Sequence, residues 1–300
     1  MAPLRLLNVE DRDSSRCAGS QLRARSASKH VGMLKTRRNI ACCALTVAAL
    51  FVSSMAEAAS GFEQIVVLGD SLSDNGNAGR FTNGPVWVEY LAERLGIVLR
   101  PSRKGGSNYA IGGARLDPHS GSDSLQAQAD AYLRGSRVSS GTLYIVYGGA
   151  NDVLGAIGSP QADMMIDAAA NSLRDILTKL AEDGPVDILV PNLPDVSITP
   201  AVQGQGGAAV ERATELTMRF NRQLEQALTQ VQGARTYRLD VAHLAEQVRK
   251  DPSALGFINT TAPCDQKSAC EGYLFWDGVH PTTRAHERLA GAAFQLISAP

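Results

Sequence analysis

The chain has 300 residues, 44% hydrophobic and 20% charged, the balance of an ordinary globular protein, which excludes wholesale disorder and a polytopic membrane protein. Its formal net charge is −1, but residues 1–58 hold nine of the 29 Lys and Arg and only four of the 30 Asp and Glu. The remainder has 20 basic and 26 acidic side chains, a net charge of −6, and so carries no electrostatic footprint for nucleic acid.

The first predicted element has the layout of a secretory signal. Lys35, Arg37 and Arg38 form a positive region, residues 40–52 an apolar one, and Ala56-Glu57-Ala58 a small-residue cleavage site. The apolar run is too short to span a bilayer comfortably. Met33 is an alternative start that would leave residues 1–32 as an extended leader or outside the protein. Arg37-Arg38 raises twin-arginine export, but Asn39-Ile40 fits that pattern poorly, which favours the general secretory route. The expectation is a leader over 1–58, cleavage near Ala58, and one domain over 59–300 in the periplasm or the medium.

Phe62 to Leu68 is a short apolar run ending at Gly69, the pattern of a buried strand. Trp87, Tyr90, Leu91 and Leu95 predict a helix with Pro85 at its first position and Gly96 past its end. Thr142 to Tyr147 predicts a second strand and Val186 to Val190 a third, with the stripe Ile166, Ala169, Leu173, Ile176 and Leu180 as a helix between them. Gly204 to Gly207 reads as a surface connection or a lid. A helix follows over Ala213, Leu216, Phe220, Leu224 and Leu228, then a more polar strand over Ala234 to Leu239. Strands alternating with helices imply a mainly parallel sheet covered on both faces, an α/β/α sandwich whose ligands bind beyond the carboxyl ends of the strands.

The unusual polar residues cluster at those ends. Ser71, in Gly69-Asp70-Ser71-Leu72, follows the first strand, though the nucleophile elbow of the α/β-hydrolases would need Gly where Ser73 stands. Taken alone, such a Ser is as well read as a helix cap. Asp277 and His280 sit three apart, close enough for the carboxylate to orient an imidazole that activates Ser71, or for Asp277 to cap the last helix beside a surface His. Oxyanion donors could come from Asn108-Tyr109-Ala110-Ile111-Gly112-Gly113 through glycine N–H groups, and from the Asn151 side chain. Asp70, Asp74 and Asp152 flank the site and either brace its loops or cap helices. His119, His243 and His286 have poor spacing for a joint metal site and read as structural. Cys264 and Cys270 are the even pair left beyond the leader and predict a disulfide; a zinc site would need more ligands nearby.

Taken in order, Gly69-Asp70-Ser71-Leu72, Gly112-Gly113, Gly149-Ala150-Asn151-Asp152 and Asp277-Gly278-Val279-His280 resemble the GDSL (SGNH) hydrolases, from about Phe62 to Leu289. The resemblance implies a three-layer sandwich with a flavodoxin-like sheet, and carboxylic ester hydrolysis. It implies Ser71 as nucleophile and oxyanion donor, Gly113 and Asn151 as further donors, and His280 as base, oriented by Asp277. Gly113 is assigned by its five-residue offset from Asn108, with Gly112 as the neighbour it could be confused with. Residues 69–77, 79–87 and 108–114 are similar to the secreted branch of bacterial phospholipase/acyltransferases, hemolysin-like lipases and plant esterases, although Leu68 stands where Phe is frequent. No transmembrane β-barrel sequence follows His280, so the autotransporter form is not expected. The implied substrate is a small-molecule or lipid ester, with no cofactor or metal, no nucleic acid, no integral membrane domain and at most transient contact with a lipid surface. Acyl transfer to an alcohol stays open, since it uses the same triad. A non-catalytic binding protein on this scaffold would be expected to have lost Ser71, Asp277 or His280, and all three are present.

Overall fold

A computed structural model of the chain describes residues 61–182, 184–264 and 270–299; the expected leader over 1–58 lies outside the described residues. Four parallel strands form the sheet in the order β1 (Gln64–Gly69), β2 (Thr142–Tyr147), β3 (Val186–Pro191), β4 (Ala234–Leu239). β2 is buried at all six positions and β1 at five of six, as central strands covered on both faces must be. β4 lies at the edge, which explains its polar sequence: Arg235 and Arg238 are exposed, and the Arg235 guanidinium lies 4.8 Å above the Tyr237 ring.

Helices α2 (Leu125–Gly135), α3 (Ala150–Ala156), α4 (Ala162–Ala181) and α6 (Gly207–Gln230) pack together in one layer. Helices α1 (Trp87–Arg94) and α8 (Thr283–Ser298) pack against each other in another, and α8 reaches β4. The α4 stripe from Ile166 to Leu180 and the α6 stripe from Ala213 to Leu228 are buried as their spacing predicts. Pro85 is not in the first helical position: Val86 is the N-cap of α1, and Pro85 precedes it. Gly204 to Gly207 is the short surface connection of the two readings: Gly204 caps the short α5 (Pro200–Gln203) and Gly207 opens α6, all four residues being exposed. Beyond β4 come α7 (Val241–Lys250) and a small sheet of β5 (Asn259–Pro263) and β6 (Tyr273–Phe275). The last helix, α8, starts two residues after Pro281, with Thr282 as its N-cap. Among the described residues no helix is long and apolar enough to cross a membrane.

One further segment extends the main sheet. Asn108 makes a parallel bridge to Val67 on the free side of β1. There the Tyr109 N–H donates to Val67 O at 2.8 Å, and the Ile111 N–H to Gly69 O at 3.1 Å. This pairing carries Gly112-Gly113 alongside the end of β1, where Ser71 emerges.

Candidate active site

Three residues from the two ends of the domain meet beyond the carboxyl end of β1. His280 Nε2 lies 2.9 Å from Ser71 Oγ, and His280 Nδ1 lies 2.7 Å from Asp277 Oδ2. With the carboxylate ionised, Nδ1 must carry the ring proton, which leaves Nε2 free to accept from the Ser71 hydroxyl. Asp277 does not cap α8. Its Oδ1 accepts the Val279 and His280 backbone N–H groups at 2.9 and 2.7 Å, so one turn of chain fixes both residues of the pair. Burial pushes the Asp277 carboxyl upward, but the His280 ring and these two N–H groups outweigh it and hold it below the usual carboxylate range. The Phe81 ring lies 5.2 Å from the imidazole and the Trp276 ring 6.5 Å, partly enclosing it.

The Ser71 loop is braced by groups that sequence patterns alone leave ambiguous. Asp74, fully buried, accepts four backbone hydrogen bonds: Gly76 and Asn77 N–H on Oδ1, Ala78 and Gly112 N–H on Oδ2, all between 2.7 and 2.9 Å. Asn108 donates to Ser73 O at 2.8 Å and to Asn75 Oδ1 at 2.9 Å. Gln128 of α2 holds Gly69 on both sides, accepting its N–H at 2.8 Å and donating to its carbonyl at 2.9 Å. No spacing signals this Gln, which sits at an ordinary helical position. Asp70 is buried below the loop, accepts the Leu72 N–H at 3.0 Å, and is pushed up to about 7 by burial. Asp152 braces rather than caps: it receives Leu116 and Asp117 N–H at 3.0 and 3.1 Å, and burial raises its carboxyl despite them.

Gly113 is exposed with φ +81°, a left-handed conformation that disfavours any side chain, whereas the N–H of Gly112 is already engaged by Asp74. Asn151, the second residue of α3, donates to Ala114 O at 2.9 Å, which ties its amide to the Gly113 loop. His119 and His243 are exposed, away from this chemistry. His286 is buried within α8; its Nδ1 accepts the Trp87 N–H at 3.2 Å, and Trp87 Nε1 donates to Ser73 Oγ at 3.0 Å. Burial lowers His286 to about 3, and its Nε2 has no partner among the described residues. Cys264 and Cys270 form the expected disulfide, with Cα atoms 5.3 Å apart. A cavity of about 600 Å³ borders Ser71, His280 and Asn151, within the range that holds organic ligands.

Comparison with known proteins agrees with this architecture. The chain is 27% identical to Lipase 1 of Photorhabdus luminescens over 84% of its own length and 52% of that protein's. It is 26% identical to the phosphatidylcholine-sterol acyltransferase of Aeromonas hydrophila over 85% of the chain and 96% of that protein. It thus spans about half of the first relative and nearly all of the second. Among solved structures, the acetylxylan esterase Axe2 of Geobacillus stearothermophilus shares the fold with a TM-score of 0.51 at 18% identity, over 81% of this chain and 97% of that one. Residues 65–293 match the model of the GDSL-like lipase/acylhydrolases, and the chain belongs to that family of carboxylic ester hydrolases.

Proposed function

We propose that the chain cleaves carboxylic esters through an acyl intermediate on Ser71, with His280 as general base and then general acid, and Asp277 holding the imidazole. The observation that carries this reading is the continuous hydrogen-bond line from Asp277 Oδ2 through His280 to Ser71 Oγ, at 2.7 and 2.9 Å. Ser71 Oγ attacks the carbonyl carbon as its proton passes to His280 Nε2, and the carbonyl π electrons move onto oxygen. The Ser71 and Gly113 N–H groups and the Asn151 amide receive that oxyanion, each donor contributing roughly 3–4 kcal/mol. The engagement of Gly112 by Asp74 supports Gly113 as the donor, because alternate N–H groups at Tyr109 and Ile111 already point to β1. Collapse breaks the ester C–O bond and the leaving alkoxide takes the proton from His280. Water then gives a proton to His280 and attacks the acyl carbon; the bond from that carbon to Ser71 Oγ breaks, Oγ takes the proton back from His280, and the acid is released.

The disulfide and the apolar stretch at 40–52 support an exported domain over 59–300. Likeness to an acyltransferase over 96% of its length supports one second reading, in which an alcohol replaces water in the last step. The test is hydrolysis of p-nitrophenyl esters from acetate to palmitate by residues 59–300 and by Ser71→Ala. The expected result is a loss of about 10⁴–10⁶-fold in kcat for the variant. An added alcohol that diverts product from acid to ester would favour transfer. Equal inactivity of both proteins toward every ester would overturn the catalytic reading in favour of a binding protein.

A further inference from the structure

Helix α7 has an apolar stripe that, among the described residues, no element fully covers. Val241, Leu244, Ala245 and Val248 recur at the spacing of a core-facing helix, yet only Val241 is buried. Facing the same space, α8 presents Ala285, Leu289 and Ala292, again at one-face spacing and again only half-buried. Two such stripes ordinarily interlock with their axes about 8–10 Å apart. Here both are walls of the cavity of about 600 Å³ that also borders Ser71 and His280. Leu255, Phe257 and Leu274 complete the apolar lining. This space is far larger than an acetyl group fills, and it is continuous with the nucleophile.

We propose that the groove between α7 and α8 is the acyl subsite, and that the preferred substrate is an ester of an unbranched acyl chain of medium to long length. The inference rests on the ester-hydrolase reading of Ser71 and adds to it the part of the substrate that the enzyme selects. Asn151, Asp195 and Thr199 bring polar groups to the same cavity, which suit the carbonyl and alcohol end of the ester and leave the apolar stripes to the acyl chain. On the α7–α8 side the polar side chains Arg284, Glu287 and Arg288, with Gln247 and Gln295, border the cavity and are all exposed, so their polar groups stay in water at the rim while the half-buried stripes are hydrocarbon. A chain threaded there covers the half-buried stripes of both helices, contacts that no short acyl group reaches.

The test has two independent arms. In the first, kcat/KM of the 59–300 protein is measured on p-nitrophenyl acetate, butyrate, octanoate and decanoate, with Val248→Trp on α7 and Ala292→Phe on α8 as obstructions from opposite walls. The expected result is a rise of up to about fourfold per methylene for the unsubstituted protein. Each obstruction should then lower the decanoate value at least tenfold more than the acetate value. The second arm needs no variant: free fatty acids, kept below aggregating concentrations, inhibit acetate hydrolysis with constants that fall as the chain lengthens. A flat or falling chain-length profile overturns the groove while leaving Ser71 chemistry intact, and so does inhibition indifferent to chain length. Absence of turnover on every ester, with Ser71 unlabelled by a small phosphonate, overturns the parent reading and the groove with it.

Discussion

Asp74 offers the sharpest perturbation of the site that touches no reacting atom. Its carboxylate is fully buried and serves four backbone donors, two on each oxygen. Asp74→Asn keeps the shape but turns one oxygen into an N–H₂ group, so whichever way the amide sits, two of the four N–H groups face a donor. A hydrogen bond to a charged group is worth about 1.5–3 kcal/mol, so the loss is about 3–6 kcal/mol, a large part of the stability of about 5–15 kcal/mol usual for a domain. The catalytic cost follows from the geometry of Gly112, whose N–H is one of the four. Releasing it loosens the peptide that aims the Gly113 N–H, and the ceiling on that effect is the loss of one oxyanion donor, about 10²–10³ in kcat. Urea unfolding and p-nitrophenyl butyrate kinetics measure the two losses separately. The expected outcome is a lowered urea midpoint and a kcat reduced at least tenfold with KM little changed. An Asn variant that keeps both its midpoint and its kcat would refute the bracing role. Lost stability with intact kcat would show that the loop needs Asp74 and the oxyanion donor does not.

Two further predictions follow from buried groups and from the disulfide. Asp70 stays protonated in the folded chain up to about 7, whereas its unfolded value is 3.8, so it makes stability fall as pH rises between those values. His286 stays neutral down to about 3 against an unfolded 6.5, so it makes stability fall as pH drops between 6.5 and about 3. The two slopes, each about 1.4 kcal/mol per pH unit, oppose each other from 3.8 to 6.5. Asp70→Asn should therefore expose the His286 slope, with stability relative to the unsubstituted protein falling progressively as pH is lowered from 6.5 to 4.5; parallel urea midpoints across that range would contradict it. Reduction of Cys264–Cys270 should destabilise the chain by about 2 kcal/mol and lower kcat, since the Cys264 N–H donates to Phe275 O two residues before Asp277. Unchanged kinetics in reductant would count against that coupling.

Three of the four strands of the main sheet were legible because short apolar runs end at glycine or proline, and burial on both faces leaves no alternation to confuse them. The edge position of β4 was visible only as a lapse in hydrophobicity, because pairing order is not written in any local pattern. The meeting of Ser71, Asp277 and His280 was legible through residue order, since short motifs name all three and the proposed chemistry needs them together. Its bracing was not. Gln128 and Asp74 act through contacts to backbone groups 59 and 38 residues away, and a backbone carbonyl or N–H has no signature in sequence. For His286 the sequence offers only poor metal spacing, which leaves a structural role without saying which. Its actual bond, to the Trp87 N–H 199 residues earlier, depends on the packing of α1 on α8.

That last bond belongs to a larger connection, which gives a physical role to the stretch Asn83-Gly84-Pro85-Val86-Trp87. Ser71 and His280 are 209 residues apart, and the start of α8 must dock to within tenths of an ångström for their hydrogen bond to form. The Thr283 N–H donates to Asn83 Oδ1 at 2.8 Å, and its hydroxyl lies 2.9 Å from Pro85 O and 2.8 Å from Tyr90 Oη. Gly84 lies so close that an added Cβ would sit 2.7 Å from Thr283 Oγ1, so glycine is what lets the two segments touch. Three residues further into α8, His286 grips the first turn of α1, and the Trp87 ring passes the connection on to Ser73, two residues from Ser71. Each bond is worth only about 1 kcal/mol, but together they fix a relative position rather than merely add stability. The Nε2–H of His286, without a partner among the described residues, fits the same account. Leaving a donor buried costs about 1–3 kcal/mol, which an apolar side chain would avoid, but an apolar side chain could not accept from Trp87. The strip that the sequence presents without any chemistry is thus the seat on which the histidine-bearing end of the chain is held against the serine-bearing one.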